Sequence, residues 1–401
     1  MHLVESFALS TALKIDEPYI YEAYTPLPMQ AERYISFQPW GQKEYDARIY
    51  PYWGEVLDIL RPSLNKADIP IVQIGSAKED KVQGTLDMRG KTSINQAAYI
   101  IKNAELHLGI DSFGVHFASG YRKKIVALYS NMLPEQSGPY WGDEKDTRIL
   151  SSVKENEKAS YVQYEDPKTI LRINPEDVAE AVCDLLGLDY DYPYKTIGSG
   201  EEYSFKRVEI IPNNFVSNWN QFGLDSAIMR MDKFDDQQVL VEQLKVCPCS
   251  VIADKPINLQ ILHAFKDKIV EMVYFIDEST DVGYIEQLKN TGVKLYLICK
   301  LSEEKLNKIK LNYLDVAPII HQPVVTKKDV MKKYGIKNLD NVYFKSSMSI
   351  VNENGLFSNY AHAQANQSPI SNHRFMDPLP VLDTPDFWQD SHRMTFLVKK
   401  S

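Results

Sequence analysis

Between about residues 30 and 190 short apolar runs alternate with stretches of helical period, and that alternation constrains the fold more than any other feature of the chain. "YISFQ" (34–38), "IPIVQIG" (69–75), "ELHLGI" (105–110) and "KIVALYS" (124–130) have the length and apolar content of buried strands. "YWGEVLDILRPSL" (52–64) and "SINQAAYIIKNA" (93–104) carry their apolar residues at helical spacing instead. Strands that are apolar on both faces need cover on both faces, so the pattern predicts a parallel sheet with helices as crossovers. The series closes at "NPEDVAEAVCDLLGL" (174–188), where Asn174 suits an N-cap, Pro175 the first helical position, and Glu176 and Asp177 the positive end of the helix dipole.

A segment rich in Tyr, Gly and charge, residues 189–204, shows no period and reads as a linker. Beyond it a second alternation begins, with "CSVIAD" (249–254), "IVEMVYFID" (269–277) and "GVKLYLICK" (292–300) as strands. The expected organisation is therefore a domain over 1–188, the linker, a second α/β domain over 205–335, and a loop-rich segment over 336–401 that packs on the domains. With 44% hydrophobic residues, a chain of 401 can fill two such cores.

The charge balance is acidic, 54 Asp and Glu against 45 Lys and Arg, so no global positive field draws the chain to a phosphate backbone. Four cysteines, two of them in "CPC" at 247–249, are too scattered for a disulfide framework or a four-ligand zinc site and read as reduced thiols. The histidines at 362, 373 and 392 are likewise too irregularly spaced for a metal cluster. Glu5 interrupts the N-terminal apolar stretch and no run approaches the length of a membrane span, which predicts a cytoplasmic protein. "MHLVESFALSTALKI" reads as an amphipathic helix packed against a domain.

The candidate site lies in "GIDSFGVHFAS" (109–119), where a buried strand ends and a short helix begins. In an open parallel sheet ligands bind beyond the carboxyl ends of the strands, and amides at a helix start favour an anion such as a phosphate. There Ser112 can donate to a phosphate oxygen, Gly114 lets the backbone approach closely, and Asp111 can accept from a sugar hydroxyl. In the competing reading Asp111 and Ser112 merely cap the helix and His116 is a core histidine.

The stretch from "IPIVQIGSAKEDK" through "DMRGKTSINQAAYIIKNAELHLGIDSFGVHFASGYRKKIVALYS" resembles the C-terminal half of heptosyltransferase-type glycosyltransferases, typified by the ADP-heptose:lipopolysaccharide heptosyltransferases. "RIYPYW" (48–53), "SGPYW" (137–141), the closing helix and even "HLVESFALSTALKI" fit in the same order, so the resemblance covers about residues 1–188. It implies a GT-B-like protein of two Rossmann-like domains in which 1–188 holds a nucleotide diphosphate-sugar as co-substrate, with no other cofactor and no metal. Position by position, Asp111, Ser112, Phe113, Gly114 and His116 would line the donor's phosphates and sugar. Gly75 and the acids Glu79 and Asp80 would lie near the ribose, Thr92 near the base, and Arg48 against the leaving diphosphate.

Two departures qualify the resemblance. Phe113 stands where the family has a glycine, narrowing the loop. The family's acceptor domain, with its catalytic carboxylate, precedes the donor domain, whereas here the only remaining α/β stretch, 205–335, follows it, which implies a circularly permuted layout. Asp254, Asp277 and Glu278 end strand candidates there and are the candidate bases. The acceptor is a glycan or a hydroxylated DNA base of the kind glycosylated in some bacteriophages, with Phe387, Trp388 and Tyr360 available to stack on a flipped base. The alternative function is a non-catalytic nucleotide-sugar-binding relic, or a partner subunit of a separate acceptor domain.

Overall fold

The computed structural model describes residues 1–28, 32–42, 44–219, 226–365, 369–370 and 377–400. The chain divides into two compact units, Met1–Tyr194 and Lys195–Ser401.

The first unit opens with α1 (Leu3–Thr11), followed by β1 (Ile35–Gln38), α2 (Trp53–Ala67), β2 (Ile71–Gln73), β3 (Leu86–Asp87), α3 (Ile94–Asn103) and β4 (Leu106–Ile110). Next come α4 (Phe113–Gly120), β5 (Lys124–Tyr129), α5 (Pro134–Ser137), β6 (Thr147–Ser151) and α6 (Pro175–Leu186). Its strands form one parallel six-stranded sheet in the order β3-β2-β1-β4-β5-β6. The chain leaves β1 in one direction and returns beside it with β4, so the order reverses between these two strands. Right-handed crossovers then put α2 on one face and α3 and α4 on the other. Accordingly α3 and α4 share a core with Val72, Ile74, Ile125 and Ala127, while α2 packs against α6 and buries Trp53, Val56, Leu57 and Leu60.

Helix α1 does not pack as its amphipathic pattern predicts. None of its residues is buried, and Leu3, Phe7 and Leu9 face solvent. What anchors it is His2, whose ring caps the helix through Val4 N–H, bonds the Gly138 carbonyl and lies 4.8 Å from the Tyr140 ring.

The second unit runs β7 (Tyr194–Ser199), β8 (Arg207–Ile210), β9 (Ala227–Arg230), α7 (Gln237–Val246), β10 (Cys249–Ala253), α8 (Leu259–Ala264) and β11 (Ile269–Ile276). It continues through α9 (Val282–Asn290), β12 (Leu295–Cys299), α10 (Glu303–Ile309), β13 (Ile319–His321), α11 (Lys327–Tyr334) and β14 (Val342–Ser346). Last come β15 (Met348–Asn352), β16 (Gly355–Phe357), α12 (Tyr360–Gln364), β17 (Leu379–Pro380), α13 (Pro385–Gln389) and β18 (Met394–Lys399). An eight-stranded sheet has the order β13-β12-β11-β10-β9-β8-β15-β16 and is parallel except for β16. A four-stranded sheet has the order β17-β14-β18-β7.

From β8 to β13 each strand adds on the same side of its predecessor, so right-handed crossovers carry every connecting helix to one face. Leu240 and Leu244 of α7, Leu262 of α8, Ile285 and Leu288 of α9 and Leu306 of α10 accordingly join a single core with Val251, Tyr274 and Leu297. The opposite face keeps only half-buried side chains, Ile252, Val273, Phe275, Tyr296 and Ile298, alternating with the fully buried ones. Such alternation is the habit of antiparallel sheets with one wet face.

Two segment expectations are corrected here. Among the described residues of 336–401 strands and helices recur, since β15 inserts beside β8 and β14 and β18 pair along five residues. Short alternating runs such as "MTFLVK" form strands despite the Asn, Ser and Pro around them, because pairing with distant strands completes their hydrogen bonds. For the same reason the stretch 189–204 contains strand β7 rather than linker alone. The sheet joins 207–321 to 348–357, so 205–335 is not a closed unit by itself.

Candidate functional site

The reversal of strand order between β1 and β4 leaves a crevice beyond their carboxyl ends, the place where doubly wound sheets hold ligands. Gln38 ends β1 and Asp111 and Ser112 follow β4, so three polar side chains converge there. Ser112 is the N-cap residue of α4, yet its side chain caps nothing. Gln38 takes over that role from the neighbouring strand. Its Oε1 accepts from Gly114 N–H at 3.0 Å, and its Nε2 donates to Ser112 Oγ at 3.0 Å. A backbone N–H can only donate, which fixes the orientation of the amide and makes Ser112 Oγ an acceptor. Among the described residues the Ser112 hydroxyl donates to no acceptor.

Gly114 is required by this arrangement. A Cβ there would lie 2.5 Å from Gln38 Oε1 and 2.7 Å from the His107 ring. His107 is itself buried, 3.0 Å from Ser36 Oγ, and burial pushes its pKa down to about 3, so it sits neutral beneath the site.

Arg48 reaches the crevice from the β1–α2 loop. Its guanidinium stands 3.2 Å from Asp111 Oδ2, donates to the Asp111 carbonyl at 3.1 Å and to Asn131 Oδ1 at 3.0 Å. The short turn that carries it is tied to the end of β5 by Ser130 Oγ donating to the Ala47 carbonyl at 2.8 Å. Asp111 is 6% exposed, and burial raises its pKa against the pull of Arg48 and His116. His116, with its side chain 43% exposed, lies 4.0 Å from Asp111 and has its pKa lowered by partial burial despite that neighbour.

The loops after β2 and β3 complete the rim. Gly75 takes φ +146°, a backbone conformation that residues with a side chain rarely adopt, and a Cβ there would displace the Glu79 carboxylate. Glu79 Oε2 is buried without a partner among the described residues, and burial raises that carboxyl's pKa. Gly90 N–H donates to the Gly75 carbonyl at 2.8 Å and so locks the two loops together. The Asp80 side chain is exposed, its carbonyl held by Trp40 and Gln73, and Thr92 stands just before the Ser93 cap of α3.

Residues 10–168 match the family model described as glycosyltransferase family 9 (heptosyltransferase). The resemblance to heptosyltransferase-type glycosyltransferases holds. Solved structures similar to the chain include the ADP-heptose LPS heptosyltransferase II of E. coli, at 20% identity over 40% of this chain and 49% of that one, with a TM-score of 0.31. A glycosyl transferase family 9 protein of Veillonella parvula follows at 18% identity, 39% and 46% coverage and a TM-score of 0.30. The iron-containing dodecameric glycosyltransferase TibC of enterotoxigenic E. coli is similar at 12% identity, 44% and 51% coverage and a TM-score of 0.35. The chain spans about half the length of these structures. Among curated proteins none matches.

In this heptosyltransferase-like unit the residues named from sequence, Arg48, Gly75, Glu79, Asp80, Thr92, Asp111, Ser112, Gly114 and His116, all lie in loops or at a helix start beyond the carboxyl ends of the sheet strands. Arg48, Asp111 and His116 meet directly. Phe113 turns its ring onto Phe117, 5.5 Å between centroids, and packs on the core with α3. Gln38 and Asn131 carry no local motif that marks them in the sequence. Only the pairing of β1, β4 and β5 brings them to the site.

In the second unit Asp254 follows β10, and Asp277 and Glu278 follow β11. Asp277 Oδ1 accepts from Ser279 N–H at 2.8 Å and from the Ser279 and Thr280 hydroxyls, and these bonds lower its pKa. Glu278 pairs with Lys305 at 3.0 Å. The Asp254 carboxylate makes no hydrogen bond or ion pair among the described residues. Phe387 and Trp388 are 0% and 2% exposed in the core around β14 and β18, so neither is available to stack on a base. Cys247 and Cys249 are buried free thiols. Among the described residues no three His, Cys, Asp or Glu side chains gather as metal ligands, and His373 lies outside those residues. No helix of the described residues is long and apolar enough to cross a membrane.

Proposed function

We propose that the first unit binds the diphosphate of a nucleotide-sugar and that the protein transfers the sugar to an acceptor hydroxyl. The observation that carries this reading is the constellation at the β1/β4 reversal: Arg48 held between Asp111 and Asn131, and a Ser112 hydroxyl freed by Gln38 at the start of α4. A guanidinium and an oriented hydroxyl beside a helix N-terminus suit an anion whose charge grows as the glycosidic bond breaks. Asp111 accepts from a sugar hydroxyl, and His116 donates or accepts at the open side. Transfer further needs a group to take the acceptor's proton. Asp254 is the foremost of the acids after β10 and β11, because Asp277 and Glu278 are engaged in a turn and an ion pair. The scheme uses no metal, and the acceptor is a glycan.

A thermal-shift screen against ADP-, UDP-, GDP- and CDP-sugars tests the reading, since a ligand of the folded state raises its melting temperature. Stabilisation by one nucleotide class that disappears in Arg48→Ala is expected. No stabilisation by any of the four would favour a chain that has lost donor binding.

A further inference from the structure

The uncovered face of the eight-stranded sheet is not bare. Within the second unit it floors a cleft of about 700 Å³, inside the range of small-ligand sites. The floor is apolar, made by Ile252, Val273, Phe275 and Ile298, each half-buried. Facing it are the α13 end and the turn after it, with Asp390 and Arg393.

Charge in this cleft is balanced, five Lys or Arg against six Asp or Glu. Much of it is neutralised internally. Glu209 is fully buried and takes both Arg230 and Arg393, and Arg230 also holds Asp232 at 2.7 Å. Burial alone would raise the Glu209 pKa, but the two guanidinium groups outweigh it and hold it down to about 2. Three of the charged groups have no ion-pair partner among the described residues: Glu271, which accepts from the Ser250 hydroxyl at 3.3 Å, Asp390 and Lys300. The Asp390 carboxylate accepts no hydrogen bond among the described residues, although burial and the Glu209 charge push its pKa up to about 6. Lys300 finds no carboxylate within ion-pair distance among the described residues, and its Nζ stands 4.3 Å from the centre of the Phe275 ring.

A phosphate or polyanion needs excess positive charge, and a cation needs excess negative charge, so this lining selects neither. It suits an uncharged molecule with an apolar face and hydroxyls at its edge. We propose that the cleft binds a neutral saccharide, with C–H groups of a sugar ring on the apolar floor of Ile252, Val273 and Ile298 at the edge of Phe275, and hydroxyls bonded to Asp390 and Lys300. This goes beyond the donor reading and stands without it.

The test is saturation-transfer NMR of the full chain with maltotriose, triacetylchitotriose, mannotriose and lacto-N-tetraose, with a heparin disaccharide as the anionic arm. At least one neutral sugar is expected to bind, with affinity about tenfold lower in Phe275→Ala and in Asp390→Asn, each removing about 1.4 kcal/mol of contact. Binding should persist in Arg48→Ala, which separates failure of this cleft from failure of the donor site. Melting curves of both cleft variants check that they fold, and the conservative Asp390→Asn keeps the test open if Phe275→Ala does not. Absence of binding by all four neutral sugars, binding that Asp390→Asn leaves unchanged, or binding of the heparin disaccharide alone would overturn the proposal.

Discussion

His107 is where a single residue makes the site sensitive to acid. In the folded chain it stays neutral until about pH 3, whereas an ordinary histidine takes a proton near pH 6.5. The unfolded chain therefore binds the proton first, and the stability present above pH 6.5 is lost as pH falls toward 3, by about 1.4 kcal/mol per pH unit. Urea denaturation of wild type and His107→Asn at pH 7.5 and pH 5 checks this. The variant is expected to be the less stable at pH 7.5 but to lose about 2 kcal/mol less on acidification. Equal losses would place the acid sensitivity elsewhere, His362 being the next buried candidate with a pKa lowered to about 4. Residues such as Asp111 and Ser112 were legible in sequence because the end of an apolar run announces a strand's carboxyl end. His107 and Gln38 were not, since one reads as an interruption of a strand and the other as its last residue.

At the level of elements, the feature that matters is a helix start capped from outside. Helix α4 draws its cap from Gln38 on β1, so the geometry of the anion site depends on how closely the strand and helix approach. Gly114→Ala should push Gln38 and His107 aside at a cost of about 1–3 kcal/mol, the range for overpacking a filled interior. The same change should weaken nucleotide-sugar binding more than Gly54→Ala, whose added Cβ meets nothing within 4 Å. Calorimetric melting together with a binding titration of both variants measures the two effects. The elements themselves were readable in the first unit, where each strand is buried and each crossover amphipathic. They were less readable after residue 335, where short runs pair with strands distant in sequence, β14 with β18 across the residues between them and β15 with β8 more than 100 residues away.

For the whole molecule, the two units carry different kinds of sheet. The first reverses its strand order and so creates a crevice at the strand ends, while the second adds strands in one direction and leaves a face open. Neither topology was visible in the alternation of strands and helices, because the direction in which each crossover turns is set by packing partners and not by local pattern. The account rests on the first crevice being a nucleotide-diphosphate site. Isothermal titration of the full chain with ADP, UDP, GDP and CDP tests this most directly, using wild type, Arg48→Ala and Ser112→Ala. One nucleotide should bind the wild type and lose about ten- to a hundredfold in Arg48→Ala, as expected when a charged hydrogen-bond partner is removed, with a smaller loss in Ser112→Ala. Binding of none of the four, or binding indifferent to both substitutions, would contradict it.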